Sequence, residues 1–153
     1  MNPETRWRFF SDQVMGGVST GGVAFAQEDG MPFVRMTGHV STANRGGFIQ
    51  MRLDLASPPP EGTFGVMLIV RGNAQRYFVH LRTGGTLLPW QYYQAGFDVT
   101  ESWSEVRLPL EVFKASGALL RDVPGATSLT SLAVVAFGRD HDARIDIREV
   151  GFY

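Results

Sequence analysis

"SDQVMGGVSTGGVAFAQ", Ser11 to Gln27, is the stretch on which the fold turns. Within it, Gly17 to Gly21 spells G-V-S-T-G, the G-x-S-x-G pattern of serine hydrolases. A nucleophile elbow exposes its serine on a sharp strand-to-helix turn, with an acid and a histidine following in chain order. Here Ser19 is followed by Thr20-Gly21-Gly22 and the strand-like "VAFAQ", so no helix receives the turn. Asp54 with His80 or His141 completes the order on paper, as a chain this long readily allows. The stretch is read as a turn that feeds a strand, and a parallel α/β sheet is written nowhere in the chain.

Outward from it, short apolar or alternating runs recur between Gly, Pro, Asn and Asp, and no 3.6-residue period is sustained. Nine strands are expected: "GGVAFAQ", "PFVRMTGHV", "GFIQMRLDL", "FGVMLIVRG", "RYFVHLRT", "WQYYQAGFDV", "WSEVRLPL", "SLAVVAFG" and "ARIDIREVGF". Asp29-Gly30 signals a hairpin, Pro58 to Pro60 block a ladder, and Gly84-Gly85 admits positive φ. One short helical turn is expected over Leu110 to Ser116. The class is all-β, a sandwich or jelly roll, with residues 1–153 forming one domain.

Alternation assigns faces. Ile49, Met51, Leu53 and Leu55 point one way, and Phe48, Gln50, Arg52 and Asp54 the other. Tyr77, Val79 and Leu81 oppose Arg76, Phe78, His80 and Arg82 in the same manner. "FGVMLIVRG" is apolar on both faces, as a central strand covered on both sides would be, and ends at Arg71. If these strands are neighbours, Gln50, Arg52, Arg71, His80 and Arg82 share one face with an aromatic from "WQYYQ". That face is either a ligand groove or an ordinary solvated surface with ion pairs.

The 14 basic and 15 acidic residues leave no footprint for nucleic acid or an anionic membrane. Thirteen of the basic residues are Arg and only Lys114 is Lys, which suits planar contacts but is also what a GC-rich genome gives. There is no cysteine, hence no disulfide and no thiolate metal site. Met1 to Arg8 carry no apolar run of a signal peptide, and no stretch approaches the roughly 20 apolar residues of a membrane span. The expectation is a cytoplasmic protein without membrane insertion.

Two other clusters invite chemistry. "RDHDARID" brings Asp140, His141, Asp142 and Asp146 together, but the spacing matches no ligand motif and suits a polar hairpin, so no metal is expected. "PWQYYQAGF" holds Trp90, Tyr92, Tyr93 and Phe97; such rings serve as sugar-stacking platforms or, more commonly, as half-buried core and rim.

Several stretches together resemble the complex I intermediate-associated protein 30 family: "WRFFSDQVMGGVS" (7–19), "GHVSTANRGGFIQMR" (38–52), "YYQAGFDV" (92–99) followed by "WSEVRLPLEVF" (103–113), and "IDIREVGF" (145–152). The resemblance runs nearly end to end and in order. It implies a galactose-binding-like β-sandwich, similar to some carbohydrate-binding modules. It also implies that Asp12 accepts backbone N–H groups of the turn that follows, around Gly16 and Gly17 ahead of Ser19, and that these two glycines supply conformations closed to other residues. Ser41, Thr42 and Asn44 would do likewise before Gly46-Gly47, making two paired structural corners. Eukaryotic members are mitochondrial assembly factors for respiratory NADH:ubiquinone oxidoreductase that act by binding partner proteins, and in photosynthetic lineages the domain is joined to an NAD(P)-binding domain. This chain carries neither a transit peptide nor a dinucleotide fingerprint, so a stand-alone bacterial-type member without a cofactor is expected.

Three functions follow. The first is a non-catalytic binding module for a protein partner, with respiratory-complex subunits as candidates. The second is a carbohydrate or small polar ligand module using Gln50, Arg52, Arg71, His80, Arg82, Trp90 and Tyr92. The third is an enzyme in which His80 and the arginines supply acid-base and anion-stabilising groups.

Overall fold

Alternating apolar and polar side chains build two antiparallel sheets that close over one another. The computed structural model describes residues 7–86, 88 and 90–153; the reading of Met1 to Arg8 falls almost wholly outside them. The strands are β1 Trp7–Ser11, β2 Thr20–Glu28, β3 Met31–Val40, β4 Phe48–Asp54, β5 Gly65–Gly72, β6 Arg76–Thr83, β7 Tyr93–Asp98, β8 Ser104–Pro109, β9 Lys114–Ala115, β10 Leu129–Phe137 and β11 His141–Phe152. One sheet runs β1-β4-β10-β6-β7-β9 and the other β2-β3-β11-β5-β8. The result is an all-β sandwich. All nine expected strands are present, and β1 and β9 are additional. Among the described residues helical structure is confined to short 3-10 turns. The turn expected over Leu110 to Ser116 is one of them, stopping at Val112, after which Lys114 and Ala115 pair with Gln94 and Tyr93.

The core lies between the sheets. Ile49, Met51 and Leu53 of β4, Leu132 and Val134 of β10, and Tyr77, Val79 and Leu81 of β6 face Val34 and Met36 of β3, Val66, Leu68 and Val70 of β5, and Ile145 and Ile147 of β11. All are buried, and each apolar side chain so removed from water contributes roughly 1.5–3 kcal/mol before chain entropy is charged against it. Leu55, at the end of its expected inward set, is half-buried. β5 lies inside its sheet, yet Met67, Ile69 and Arg71 on its outer face are only half-buried, so it is not covered on both sides. Asp29 (φ 52°) and Gly30 (φ 75°) make the β2–β3 hairpin, a two-residue connection whose positive φ values match the twist of the strands. Gly84 and Gly85 do not adopt positive φ; their turn is held by Thr86, which accepts the Thr83 amide at 3.0 Å.

Candidate functional site

The β1–β2 connection is organised by one carboxylate. Asp12 is buried, and Oδ1 accepts the Ser19 amide at 2.9 Å. Its Oδ2 accepts the Ser19 hydroxyl at 2.6 Å, the Gly47 amide at 2.5 Å and the Phe48 amide at 3.3 Å. Burial works against ionisation here, but these four donors outweigh it and hold the carboxyl below the usual aspartate range. The Ser19 amide belongs to the turn that follows Asp12, as expected, whereas Gly47 and Phe48 come from the second corner. Gly16 and Gly17 donate to the backbone carbonyls of Gln13 and Asp12, not to the carboxylate. Gly16 supplies the expected left-handed conformation, φ 86°, whereas Gly17 is needed for space, since a Cβ there would stand 2.4 Å from Asp12 Cγ.

The second corner, Ser41 to Gly47, leans on the same aspartate. A Cβ on Gly46 would meet Asp12 Oδ2 at 2.3 Å, and Gly47 has φ 130°. Ser41 Oγ accepts the Ala43 amide at 3.3 Å, while Asn44 serves by taking the left-handed conformation itself, φ 55°. Ser19 Oγ, besides donating to Asp12, accepts the Ser41 amide at 2.9 Å. Ser19 is fully buried inside this junction, so its hydroxyl is a structural bridge between the two corners. The loop that the junction anchors turns its apolar side chains outward: Val14, Met15 and Val18 are 73%, 62% and 47% exposed. An open groove beside them is lined by Phe9, Phe10, Gln13, Val14 and Thr20.

The mixed face expected from alternation is the outer face of the six-stranded sheet. β10 lies between β4 and β6, with Ala133 opposite Arg52 on one side and His80 on the other, and Val135 opposite Gln50 and Phe78. Small side chains thus form its floor between two rows of larger ones, two strand spacings or roughly 10 Å apart. His80 stacks on Tyr92 with ring centroids 4.0 Å apart and 11° between planes, and His80 Nε2 donates to Gln94 Oε1 at 2.9 Å. Burial pushes the His80 pKa down to about 4, the Gln94 hydrogen bond opposing it, so the ring is neutral at pH 7. Across the floor, Arg52 lies over the Phe10 ring at 4.9 Å and reaches Asp54 at 3.5 Å, and Arg8 pairs with the same Asp54. Arg82 Nη2 donates to the carbonyls of Thr86 and Leu88 at 2.9 and 3.0 Å. Burial first, and then the charge of Arg52, lowers its pKa.

Arg71 is not on this face. β5 belongs to the five-stranded sheet, where Arg71 Nε donates to Asp146 at 2.8 Å and its two terminal nitrogens grip Glu28 at 3.0 Å each. Arg35 adds two hydrogen bonds to the buried Asp146, at 2.6 and 2.9 Å. Trp103 lies beneath both Arg71 (4.4 Å) and Arg148 (4.2 Å), with Phe33 edge-on to it. Arg35, Trp103 and Arg148 lie outside the expected site residues, although alternation in "ARIDIREV" puts Arg144 and Asp146 on one side; the bulge between Ile147 and Glu149 obscures the place of Arg148. Trp90 is 66% exposed, so the core-and-rim reading of the aromatic cluster does not hold for it, whereas Tyr92 is half-buried on His80.

"RDHDARID" disperses rather than converging. Asp140 accepts the Thr42 amide and hydroxyl, Asp142 pairs with His39 at 2.9 Å, Asp146 holds the two arginines, and His141 Nδ1 donates to the Arg139 carbonyl. Among the described residues no three His, Asp or Glu side chains gather as a metal site, and no helix is long and apolar enough to cross a membrane.

Comparison with known proteins places this geometry. The family model described as complex I intermediate-associated protein 30 matches residues 1–139. No curated protein matches the sequence. Among solved structures, the chain is similar to a family 11 carbohydrate-binding module from Clostridium thermocellum in complex with a beta-1,3-1,4-mixed-linked tetrasaccharide. The TM-score is 0.77 at 8% identity, covering 98% of this chain and 89% of that one. A family 30 carbohydrate-binding module matches with TM-score 0.63 and 12% identity over 90% and 92% of the two chains. At such identities the likeness is one of fold.

Proposed function

The chain belongs to the complex I intermediate-associated protein 30 family, and from that premise we propose that it is a non-catalytic binding module whose partner is a protein. The observation that carries this reading is the apolar loop Val14, Met15 and Val18, exposed to solvent on a turn pinned at both ends by Asp12. Clustered exposed apolar side chains mark interaction surfaces. A loop already fixed in shape loses little freedom on docking. The partner class that the family's description suggests is a subunit of respiratory complex I or an intermediate in its assembly, met in the cytoplasm by a chain acting as one domain over residues 1–153.

The test is affinity capture from native cells with wild type and with Val14→Asp/Met15→Asp. Wild type should retain a respiratory-complex subunit that the variant loses, while the variant unfolds within about 0.5 kcal/mol of wild type because both side chains are exposed. Equal capture by both proteins, or no respiratory subunit with either, would overturn the proposal.

A second reading is favoured by one specific feature, the neutral His80 stacked on Tyr92 beside Gln94. A stacked ring pair with amide and guanidinium groups nearby suits a hydroxyl-rich ligand such as a carbohydrate lying across the floor of β10. A glycan array and a thermal-shift screen of oligosaccharides test it, and silence in both sets it aside.

A further inference from the structure

Four strands end the two sheets, and three of them are guarded. β1 has five residues and carries Arg8, β9 has two, and β8 carries Glu105 and Arg107 and closes on Pro109. Shortness, charge and proline are the usual means of keeping an edge from pairing with another chain. β2 has none of them. It is nine residues long, pairs with β3 alone, and from Thr20 to Gln27 holds neither a charge nor a proline. Its register with β3 sets Val23 opposite the buried Met36 and Phe25 opposite the buried Val34, so both point into the sandwich. Phe25 is nevertheless 38% exposed, because the flank of the sandwich is open beyond it.

We infer that the β2 edge is the dimerisation surface of this protein, and that its occupant is β2 of a second copy, paired antiparallel about Ala24. The strand is self-complementary in that register. Val23 of each copy faces Phe25 of the other, a β-branched side chain against an aromatic, twice over by symmetry. Gly22 faces Ala26, Gly21 faces Gln27, and the single charge, Glu28, faces Thr20, so no like charges meet. The Glu28 carboxylate is already held by Arg71 on its own chain. Residues of one parity along an edge strand turn their N–H and C=O groups outward, and a register centred on a residue pairs that parity with itself. Both five-stranded sheets thereby join into one of ten strands, and each Phe25 gains cover on its open side.

Sedimentation velocity over about 1–100 µM protein, the range in which modest interfaces reveal themselves, tests the inference on the full chain. Wild type should pass from monomer to dimer with rising concentration. Ala24→Lys, which opposes two ammonium groups at the symmetry axis, should weaken the dimer about tenfold or more. Gly22→Lys guards against a folding artefact, since a Cβ at Gly22 meets nothing within 4 Å; it should also weaken the dimer. Both variants should keep the wild-type melting temperature at concentrations where all are monomeric. A wild type that stays monomeric throughout overturns the proposal, as does dimerisation undiminished in both variants, which would place the contact on another surface.

Discussion

Asp12 and Gly47 stand 35 positions apart in sequence, yet Asp12 Oδ2 accepts the Gly47 amide at 2.5 Å and so ties the β1–β2 turn to the corner before β4. The same carboxylate holds Ser19 and Phe48, so Asp12→Ala strands three backbone donors at the junction and leaves the Ser19 hydroxyl only the Ser41 carbonyl. The expected loss is about 3 kcal/mol, since unsatisfied buried donors keep their desolvation penalty and bonds to a charged acceptor are the stronger kind. Ser19→Ala, which removes one donor to Asp12 and one acceptor for Ser41, should lose less, about 1–2 kcal/mol. Glu149→Ala, an exposed control, should stay within about 0.5 kcal/mol. Chemical unfolding of the three variants checks the order. An Asp12→Ala protein as stable as the control would refute the structural role of the carboxylate.

A second consequence concerns Gly46, whose missing side chain makes room for Asp12. Gly46→Ala puts a methyl group 2.3 Å from Asp12 Oδ2, whereas Gly117→Ala meets nothing within 4 Å. Gly46→Ala should therefore destabilise by about 2 kcal/mol, within the range for overpacking, and Gly117→Ala should not. Truncating Asp12 removes the obstacle, so the double variant Asp12→Ala/Gly46→Ala should be more stable than the sum of the two losses by about 1 kcal/mol or more. Strict additivity would mean that the glycine is required for some other reason.

Most of the sandwich is legible in the sequence because alternation is local. Ile49, Met51 and Leu53 announce their own face, and "RYFVHLRT" does so equally well. β1 escapes because "WRFFS" is five residues long and gains its strand character from pairing with β4, not from its own pattern. Parity says which way a side chain points but not which sheet carries it, so alternation alone groups Arg71 with Arg52 and His80 although β5 lies in the opposite sheet. The corners show the same boundary. The resemblance implies Asp12 as a turn anchor, and Ser19 of the adjoining turn is among its partners, but Gly47 and Phe48 are supplied by a loop that only the fold brings near. Trp90 illustrates a different limit, since a ring just outside a strand has no periodicity to declare it exposed.

His80 gives a prediction in pH. Its folded pKa of about 4 lies below the unfolded value of 6.5, burial being the main cause. As pH falls from 6.5 the unfolded chain takes up the proton first, so this group's contribution is complete above 6.5 and declines between 6.5 and 4. An NMR titration should place the His80 midpoint near 4. His80→Phe, which keeps a ring for Tyr92 but cannot ionise, should flatten the stability profile over that interval. A His80 midpoint near 6.5 would show that the ring is solvated and protonates freely.

Asp146 and Asp98 offer a matched contrast, because both are aspartates paired with arginine but only one is buried. The Asp146 side chain is 1% exposed and accepts three hydrogen bonds from Arg35 and Arg71, while Asp98 and Arg76 pair at 3.1 Å in the open. Removing one side of a buried pair leaves uncompensated charge, at a cost of about 3–5 kcal/mol, whereas an exposed pair contributes about 0–1 kcal/mol. Asp146→Ala should thus be severely destabilised and Asp98→Ala scarcely affected. Burial opposes ionisation of Asp146, but the two guanidinium groups outweigh it and its pKa lies below the ordinary 3.8. With the folded value lower than the unfolded one, the stabilisation is complete above 3.8 and is lost as pH falls through the folded pKa. Wild type should therefore lose stability in acid below about pH 4, and Asp146→Ala should lose less over the same range because this contribution is already absent. Added salt should narrow the small Asp98 effect and leave the Asp146 effect nearly intact, since screening reaches only the exposed pair. Equal losses in Asp146→Ala and Asp98→Ala would mean that the arginines find other partners and that the buried aspartate does not hold β3, β5 and β11 together.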